Sequence, residues 1–149
     1  MSEATKQVSI DFDLHKLVYL MDSIAGQKLT QNGSPITYSQ YLVLSRIGKY
    51  EEITQRQLSK LISISDAAVS RQVEILKQRQ FLKAKINLTN RRERILSLTP
   101  TGKEAVEQAL NVIEIAFTQP ASALEFNEIV NFNETIDKLI GIFSPMRQY

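Results

Sequence analysis

The fold is decided by residues 53–76, whose sequence is ITQRQLSKLISISDAAVSRQVEIL. Thr54 and Gln57 have the spacing of a capping box, in which each side chain satisfies a free backbone N–H at the start of a short helix. Ser65 is placed to cap a second short helix, and Ser63 and Ile64 form the turn between the two. This stretch therefore predicts a helix-turn-helix.

The hydrophobic period changes from 3.6 to 2 after the second short helix. Leu82, Ala84, Ile86 and Leu88 alternate with polar residues, as expected of a half-buried strand. A polar turn over 89–93 and a returning strand over 94–98 complete a two-stranded hairpin. Two short helices followed by a basic hairpin are the layout of a winged helix-turn-helix.

Helical patterns flank this unit on both sides. Apolar residues recur at helical spacing over about 12–28, and a capping box of Thr37 and Gln40 starts the next helix. Thr99-Pro100 opens a long helix, with Thr as the N-cap and Pro in the first turn, and a last helix is predicted over 122–143. The predicted fold class is mainly α with a small two-stranded β-hairpin: a winged helix-turn-helix with flanking N- and C-terminal dimerisation helices.

The charges are unevenly distributed along the chain. The 149 residues carry a net charge of +2, from 18 basic and 16 acidic residues. Residues 53–94 hold ten of the basic residues but only three of the acidic ones. This polarity indicates that the middle third faces a polyanion, the alternative being an ordinary solvated surface.

Several classes of protein are disfavoured by what the sequence lacks. There is no cysteine, which excludes disulfides, thiolate metal sites and a thiol redox switch. Paired carboxylates, a phosphate-cradling glycine loop and a nucleophile motif are also missing, so we expect neither an enzyme nor a cofactor. The N-terminus lacks a signal-peptide pattern, and no apolar run approaches the ~18 residues of a membrane span. We therefore expect a cytoplasmic protein without a membrane partner.

Double-stranded DNA is the polyanion that these elements suit. Small residues on the second short helix allow close approach to a major groove, and long side chains beside them reach base edges. The candidates on this recognition helix are Ser65, Ala67, Ala68, Ser70, Arg71 and Gln72. The candidates on the hairpin, or wing, are Asn90, Arg91, Arg92 and Arg94, whose arginines suit a narrow A·T minor groove. Contacts to the DNA backbone are expected from Thr54, Gln55, Arg56 and Lys77.

Residues 36–102 resemble the MarR family of bacterial and archaeal winged-helix regulators. The resemblance is carried by ITYSQYLVL at 36–44, by residues 53–62 and 64–73, and most specifically by NRRERILSLTPTG at 90–102. It implies a transcriptional regulator, with repression the expected direction of control. It also implies a homodimer on a palindromic operator, because a two-fold dimer binds matching half-sites.

The resemblance also implies a division of the chain. A single domain over 1–149 would hold a DNA-binding lobe over 36–100 and a helical dimerisation region over 10–30 and 101–143. The expected dimer contacts are Leu14, Leu17, Val18, Ile129, Ile136, Leu139, Ile140 and Phe143.

Many members of the family bind a small effector, often an aromatic anion, between the dimer and DNA-binding parts. The aromatic residues suited to such a cleft are Tyr19, Tyr38, Tyr41 and Phe117. Core or interface positions are the more common explanation of such residues. The single histidine, His15, does not favour a metal site.

The sequence departs from the family pattern in and around the wing. Asn90 replaces the usual wing Asp, and Ile86 and Leu88 replace common prolines. Gln80 stands where a helix-ending Gly is usual, and Ser63 stands at the turn Gly. These replacements leave the conformation of the wing open.

The rival function is a winged helix used for protein interaction, with DNA binding lost. Such a module does not need a basic recognition helix and an arginine-rich wing. Retention on duplex DNA at low salt discriminates between the two functions.

Overall fold

The computed structural model of the chain describes residues 10–62 and 64–146, so the predicted turn residue Ser63 lies outside them. The described residues group into two compact units, the first ending at Ala116 and the second beginning at Phe117. In chain order the elements are α1 (Ile10–Gln31), α2 (Tyr38–Tyr50), β1 (Ile53–Thr54), α3 (Gln55–Ile62), α4 (Asp66–Gln78), β2 (Leu82–Ile86), β3 (Arg94–Leu98), α5 (Pro100–Ala121), α6 (Phe126–Phe143) and a 3-10 helix (Ser144–Met146).

Both predicted capping boxes are present. The Gln40 N–H donates to the Thr37 hydroxyl at 3.3 Å, and the Thr37 N–H donates to Gln40 Oε1 at 3.1 Å. At the start of α3, the Gln57 N–H donates to the Thr54 hydroxyl at 3.2 Å, and the Thr54 N–H donates to Gln57 Oε1 at 2.9 Å. These bonds satisfy N–H groups that a helix leaves unpaired, so both helix starts are set locally.

The predicted hairpin belongs to a three-stranded antiparallel sheet with the strand order β1-β3-β2. In this sheet Leu82 pairs with Leu98, and Ile53 of β1 pairs with Leu96. The sequence predicted two strands only, because a strand of two residues is too short to show alternation. The expected burial of Leu88 is wrong: β2 ends at Ile86, and the Leu88 side chain is 90% exposed.

The core of the first unit forms where its helices pack on the sheet. Its fully buried side chains include Leu44, Ile47, Leu58, Val69, Leu76, Leu82 and Leu96. On α4, Val69, Val73 and Leu76 are buried as their spacing predicted. Burial of each such side chain contributes roughly 1.5–3 kcal/mol. One face of α4 is thus held inward, which leaves its opposite face open.

The end of α4 is a Schellman motif, the hydrogen-bonded ending that usually contains glycine. The Gln80 N–H donates to the Lys77 carbonyl and the Phe81 N–H to the Leu76 carbonyl, both at 2.9 Å. Gln80 has φ +62°, the left-handed conformation in which glycine is usual. The departure from the family pattern at Gln80 therefore keeps the backbone conformation of the glycine it replaces.

The predicted start of α5 is confirmed, whereas that of α6 is not. The Gly102 N–H donates to the Thr99 hydroxyl at 3.0 Å, which makes Thr99 the N-cap ahead of Pro100. The last helix begins at Phe126 rather than near Ser122. Its start is marked by the Glu125 N–H, which donates to the Glu128 carboxylate at 2.8 Å.

Candidate nucleic-acid interface

The open face of α4 carries a stripe of exposed residues. Ala67, Ser70, Arg71 and Glu74 follow the spacing i, i+3, i+4, i+7, and all four are exposed. Ala68, also assigned to this face, is half-buried, and the Ser65 hydroxyl accepts the Ala68 N–H at 3.2 Å, as predicted for an N-cap. The small side chains of Ala67 and Ser70, beside the long cationic side chain of Arg71, leave this helix surface open to close approach by a partner.

Gln72 is presented differently from Arg71. Its side chain is half-buried, and its Oε1 is enclosed without a hydrogen-bond partner among the described residues. An enclosed amide oxygen of this kind costs about 1–3 kcal/mol. For Gln72 to contact a base, as the sequence predicts, its side chain has to rotate out of this position.

The starts of α3 and α4 meet the wing around one groove of about 510 Å³. Five of its lining residues are ones that the sequence assigned to DNA: Gln55, Arg56, Asn90, Arg92 and Arg94. Three guanidinium groups on one open surface suit phosphate oxygens, since each presents a planar fork of donors. We refer to this feature as the arginine groove.

Asp66 and Glu93 also line the arginine groove, although the sequence analysis did not include them among the site residues. Their carboxylates offset part of the arginine charge. A signal for Glu93 was its place between basic residues in the wing turn, but only the folded wing shows that it belongs to the groove.

The wing tip is stabilised by hydrogen bonds from the backbone and side chains of two asparagines. The Asn87 N–H donates to the Glu93 carbonyl at 3.1 Å, and Asn87 Nδ2 donates to the Glu93 carboxylate at 3.3 Å. Asn90 Oδ1 accepts the Arg92 N–H at 3.3 Å, and the Asn90 carbonyl accepts the Glu93 N–H at 2.9 Å. An asparagine oxygen thus orders the tip at the position where the family has Asp.

The other predicted contact residues lie at the edges of this surface. Arg91 is exposed but is not among the described residues that line the arginine groove. The Thr54 hydroxyl is engaged with Gln57, at 3.0 Å. Lys77 donates to Glu74 at 2.9 Å, and this hydrogen bond holds the pKa of the Glu74 carboxyl below its usual value. Because the pair is exposed, phosphate can compete with Glu74 for Lys77.

The predicted dimer contacts lie on helices with open apolar surface. On α1, Leu14 is half-buried, whereas Leu17 and Val18 are exposed. Within the part of the chain that the structure describes, no residue of α6 is buried, and Ile140 and Phe143 are 57% and 58% exposed. The other candidates on α6 are half-buried, namely Ile129, Ile136 and Leu139. Apolar surface on this scale is typical of a protein interface.

The structure brings two of the aromatic candidates together. Tyr38 and Tyr41 are half-buried on α2, and their rings stack with centroids 6.0 Å apart and an angle of 16° between planes. Burial raises the pKa of both phenols, and the nearby carboxylates of Asp22 and Glu114 raise the pKa of Tyr38 and Tyr41, respectively, further. Both hydroxyls are therefore neutral donors at pH 7.

The remaining aromatic candidates differ in exposure. Tyr19 is 70% exposed on α1. Phe117 is half-buried in the second unit.

Within 10–62 and 64–146, no cluster of three or more His, Asp or Glu side chains is arranged to hold a metal ion. None of the helices described for this chain is long and apolar enough to cross a membrane.

A known protein family matches the part of the chain that carries this surface. Residues 41–115 match the family of winged helix DNA-binding domains. The match spans half of the chain, and the chain belongs to that family. No curated protein sequence matches the chain.

Solved structures of regulators share the fold. A mutant of MarR from E. coli, complexed with operator DNA, is 19% identical, with a TM-score of 0.81 over 94% of this chain and 99% of that one. The transcriptional regulator SlyA is 18% identical, with a TM-score of 0.82 over 93% and 96% of the two chains. A probable transcriptional regulator from Pseudomonas aeruginosa is 23% identical, with a TM-score of 0.76 over 88% and 96%. The expected resemblance to the MarR family is confirmed at the level of the fold. The first of these structures contains operator DNA, and the other two proteins are described as transcriptional regulators.

Proposed function

We propose that the protein is a sequence-specific transcriptional regulator that binds double-stranded DNA as a homodimer. The observation that carries this proposal is the arginine groove, which gathers predicted contact residues from α3 and the wing beside the start of α4. A solvated charged surface would not require such residues, distant in sequence, to converge. The MarR structure with operator DNA supports duplex DNA as the partner, because its fold is shared over nearly the whole chain.

Each part of the surface has a distinct role on the duplex. The open stripe of α4 enters the major groove, which is about 12 Å wide and accepts one helix. Arg71 then contacts base edges, while Arg56 and Arg94 hold phosphates at the rim. Arg92 at the wing tip enters the neighbouring minor groove, where a narrow A·T tract attracts arginine.

Dimerisation sets the form of the operator. The open apolar surfaces of α1 and α6 support a second copy of the chain as the covering partner. A two-fold dimer binds a palindrome with half-sites about 34–36 Å apart. A dimer bound over an operator blocks transcription from it, so we propose repression as the direction of control. We propose the cytoplasm as the location, because the chromosome of bacteria and archaea lies there.

Release by a small molecule is proposed at the stacked pair of Tyr38 and Tyr41. Two neutral phenol rings that stack on each other form an aromatic surface, which suits an aromatic compound. Asp22 and Glu114 place negative charge near the pair, and Arg46 places positive charge near Tyr41. The stacked rings therefore favour an aromatic effector, and charges of both signs are near to receive its polar groups.

Selection from a random duplex pool tests the proposal. The expected result is a palindromic consensus, with binding that weakens steeply as salt rises. The double variant Arg56→Ala/Arg94→Ala removes two proposed phosphate contacts from each subunit, so it should lower the slope of log K against log[salt] by about 4 for the dimer, or about 1 per lost contact. Lys49→Ala/Lys138→Ala is the charge-matched control and should keep the slope. If no duplex is retained even at low salt, the proposal is wrong and a protein-interaction module is favoured.

A further inference from the structure

Arg79 follows the last residue of the recognition helix α4 and belongs to the basic segment that the sequence directs toward DNA. Its guanidinium is engaged within the protein. Nη1 donates to Gln40 Oε1 at 3.1 Å, and Nη2 donates to the carbonyl of Pro35. Both acceptors are some forty positions earlier in the chain, so these bonds are tertiary contacts.

The guanidinium of Arg79 is also stacked. Its Cζ lies 4.8 Å from the centroid of the Phe81 ring, and Phe81 is buried. The guanidinium donates to two separate acceptors and stacks on an aromatic ring. Both interactions depend on its planar shape, whereas lysine offers only a compact point charge. Arginine therefore suits this site better than lysine, whereas either side chain can contact a phosphate.

The acceptors of Arg79 lie at a defined place in the fold. We call residues 34–40 the α1–α2 corner, because they comprise the end of the loop between α1 and α2 and the first turn of α2. Pro35 lies in its loop, and Gln40 is the second member of the capping box that starts α2. Gln40 Oε1 accepts from the Thr37 N–H and from Arg79 at once, each at 3.1 Å. The C-terminal end of α4 is thus fixed to the start of another helix.

This attachment controls the orientation of α4. The buried face of α4 consists of apolar side chains, whose packing energy has little directional dependence. Hydrogen bonds to a charged fork are directional, so they oppose rotation of the helix about its axis. Arg71 lies about 12 Å along the helix from Arg79, at 1.5 Å per residue, and moves with any such rotation.

We propose that Arg79 is a positioning residue that makes no contact with DNA. It fixes the orientation of α4 against the α1–α2 corner and thereby the separation of the two recognition helices in the dimer. The inference rests on the proposed function, and it concerns the spacing of half-sites rather than binding itself.

The test uses the full chain and a panel of operators whose half-sites are separated by spacers of different length. Arg79→Met and Arg79→Lys should each lower affinity at the optimal spacing about tenfold, the loss expected of a charge-assisted hydrogen bond. They should also flatten the preference for that spacing. The slope of log K against log[salt] should equal that of the unsubstituted protein, because no phosphate contact is lost.

Gln40→Glu is the matched variant. A glutamate keeps an acceptor for both Thr37 and Arg79, so this protein should retain the spacing preference of the unsubstituted chain. Melting of each variant is measured in parallel, and binding is compared below the lowest melting temperature.

Three outcomes would overturn the inference. If Arg79→Lys binds normally while Arg79→Met loses affinity and about two units of salt slope, one for each subunit of the dimer, Arg79 is a phosphate contact. If all spacings weaken equally in proportion to lost stability, its role is in folding alone. If the unsubstituted protein binds no duplex, the proposed function fails and this inference with it. The first two outcomes leave the proposed function intact.

Discussion

The hydroxyl of Thr99 donates a hydrogen bond of 2.6 Å to the carbonyl of Gln80. This bond joins the second residue after the recognition helix to the N-cap of α5, a connection that we call the α4–α5 joint. The Thr99 N–H reinforces the joint by donating to the Phe81 carbonyl at 3.1 Å. Both bonds end on backbone carbonyl groups of the residues that follow α4. They therefore connect the end of α4 directly to the start of α5.

Gln80 is the residue of this joint at which a substitution should stabilise the protein. A non-glycine residue in the left-handed region costs about 1–2 kcal/mol, and glycine loses about 0.5–1 kcal/mol of backbone entropy on folding. Gln80→Gly should therefore raise the free energy of unfolding by about 0.5–1 kcal/mol. Urea denaturation measures the change, and Gln80→Ala is the control, because it removes the same side chain without relieving φ. A gain equal to that of Gln80→Ala would show that backbone strain is not the cause.

Gly102 is the residue at which the joint cannot accept a side chain. A Cβ added there would lie 1.8 Å from the carbonyl oxygen of Phe81, which is backbone and cannot move aside. Gly102→Ala should lower the free energy of unfolding by about 3 kcal/mol or more, the upper range for overpacking. Gly26→Ala is the control, since beyond the adjoining backbone of its own helix no described atom lies within 4 Å of its added Cβ. A melting temperature unchanged by Gly102→Ala would contradict this account of the joint.

The parts of the fold that the sequence predicted depend on neighbours along the chain. Two helix starts were predicted from short patterns, Thr37 with Gln40 and Thr99 with Pro100. Each is recognisable because the hydrogen bonds that cap the helix span at most three or four residues. Strand β1 was missed, because two residues become a strand only by pairing with β3, some forty positions later. The burial of Gln72 was missed for the same reason, since helical spacing alone does not show which neighbouring element encloses an amide.

The candidate site was predicted as a set of residues but not as a shape. Composition and order assigned Arg56 and Arg92 to DNA separately. Their meeting around one groove depends on the sheet, which no local pattern describes. Arg79 shows what counting charges leaves out, because it belongs to the basic segment while its guanidinium donates to Gln40 and Pro35 in the α1–α2 corner.

Arg71 is predicted to be the principal base contact on α4. It is exposed in the middle of the open stripe, whereas Gln72 beside it is half-buried. Arg71→Ala should weaken operator binding by about 1–3 kcal/mol and relax the preference at one base pair of each half-site. Competition with a set of operators carrying single base changes measures both effects. An equal loss on every sequence would mean that Arg71 contacts a phosphate instead.

Arg92 and Arg91 form a matched pair at the wing tip. Both are exposed, but Arg92 lines the arginine groove. Arg92→Ala should therefore reduce affinity more than Arg91→Ala, and the difference should be greatest for operators with A·T-rich flanks, whose narrow minor groove attracts arginine. Titrations against A·T-rich and G·C-rich flanks test this. Equal losses for the two variants, or indifference to the flank, would exclude insertion of Arg92 into the minor groove.

Ile140 and Phe143 test the assignment of α6 to the dimer. In the described chain no side chain of this helix is buried, and these two apolar residues are more than half exposed. Ile140→Asp/Phe143→Asp should give a monomer by sedimentation equilibrium, because an interface cannot bury unpaired carboxylates without a large cost. The core of the first unit should remain folded, and affinity for a full palindrome should fall to that for one half-site. Lys138→Asp changes charge on the same helix without removing apolar surface, and it should leave the dimer largely intact. A stable dimer in the double variant, or after truncation before Leu124, would place the interface elsewhere.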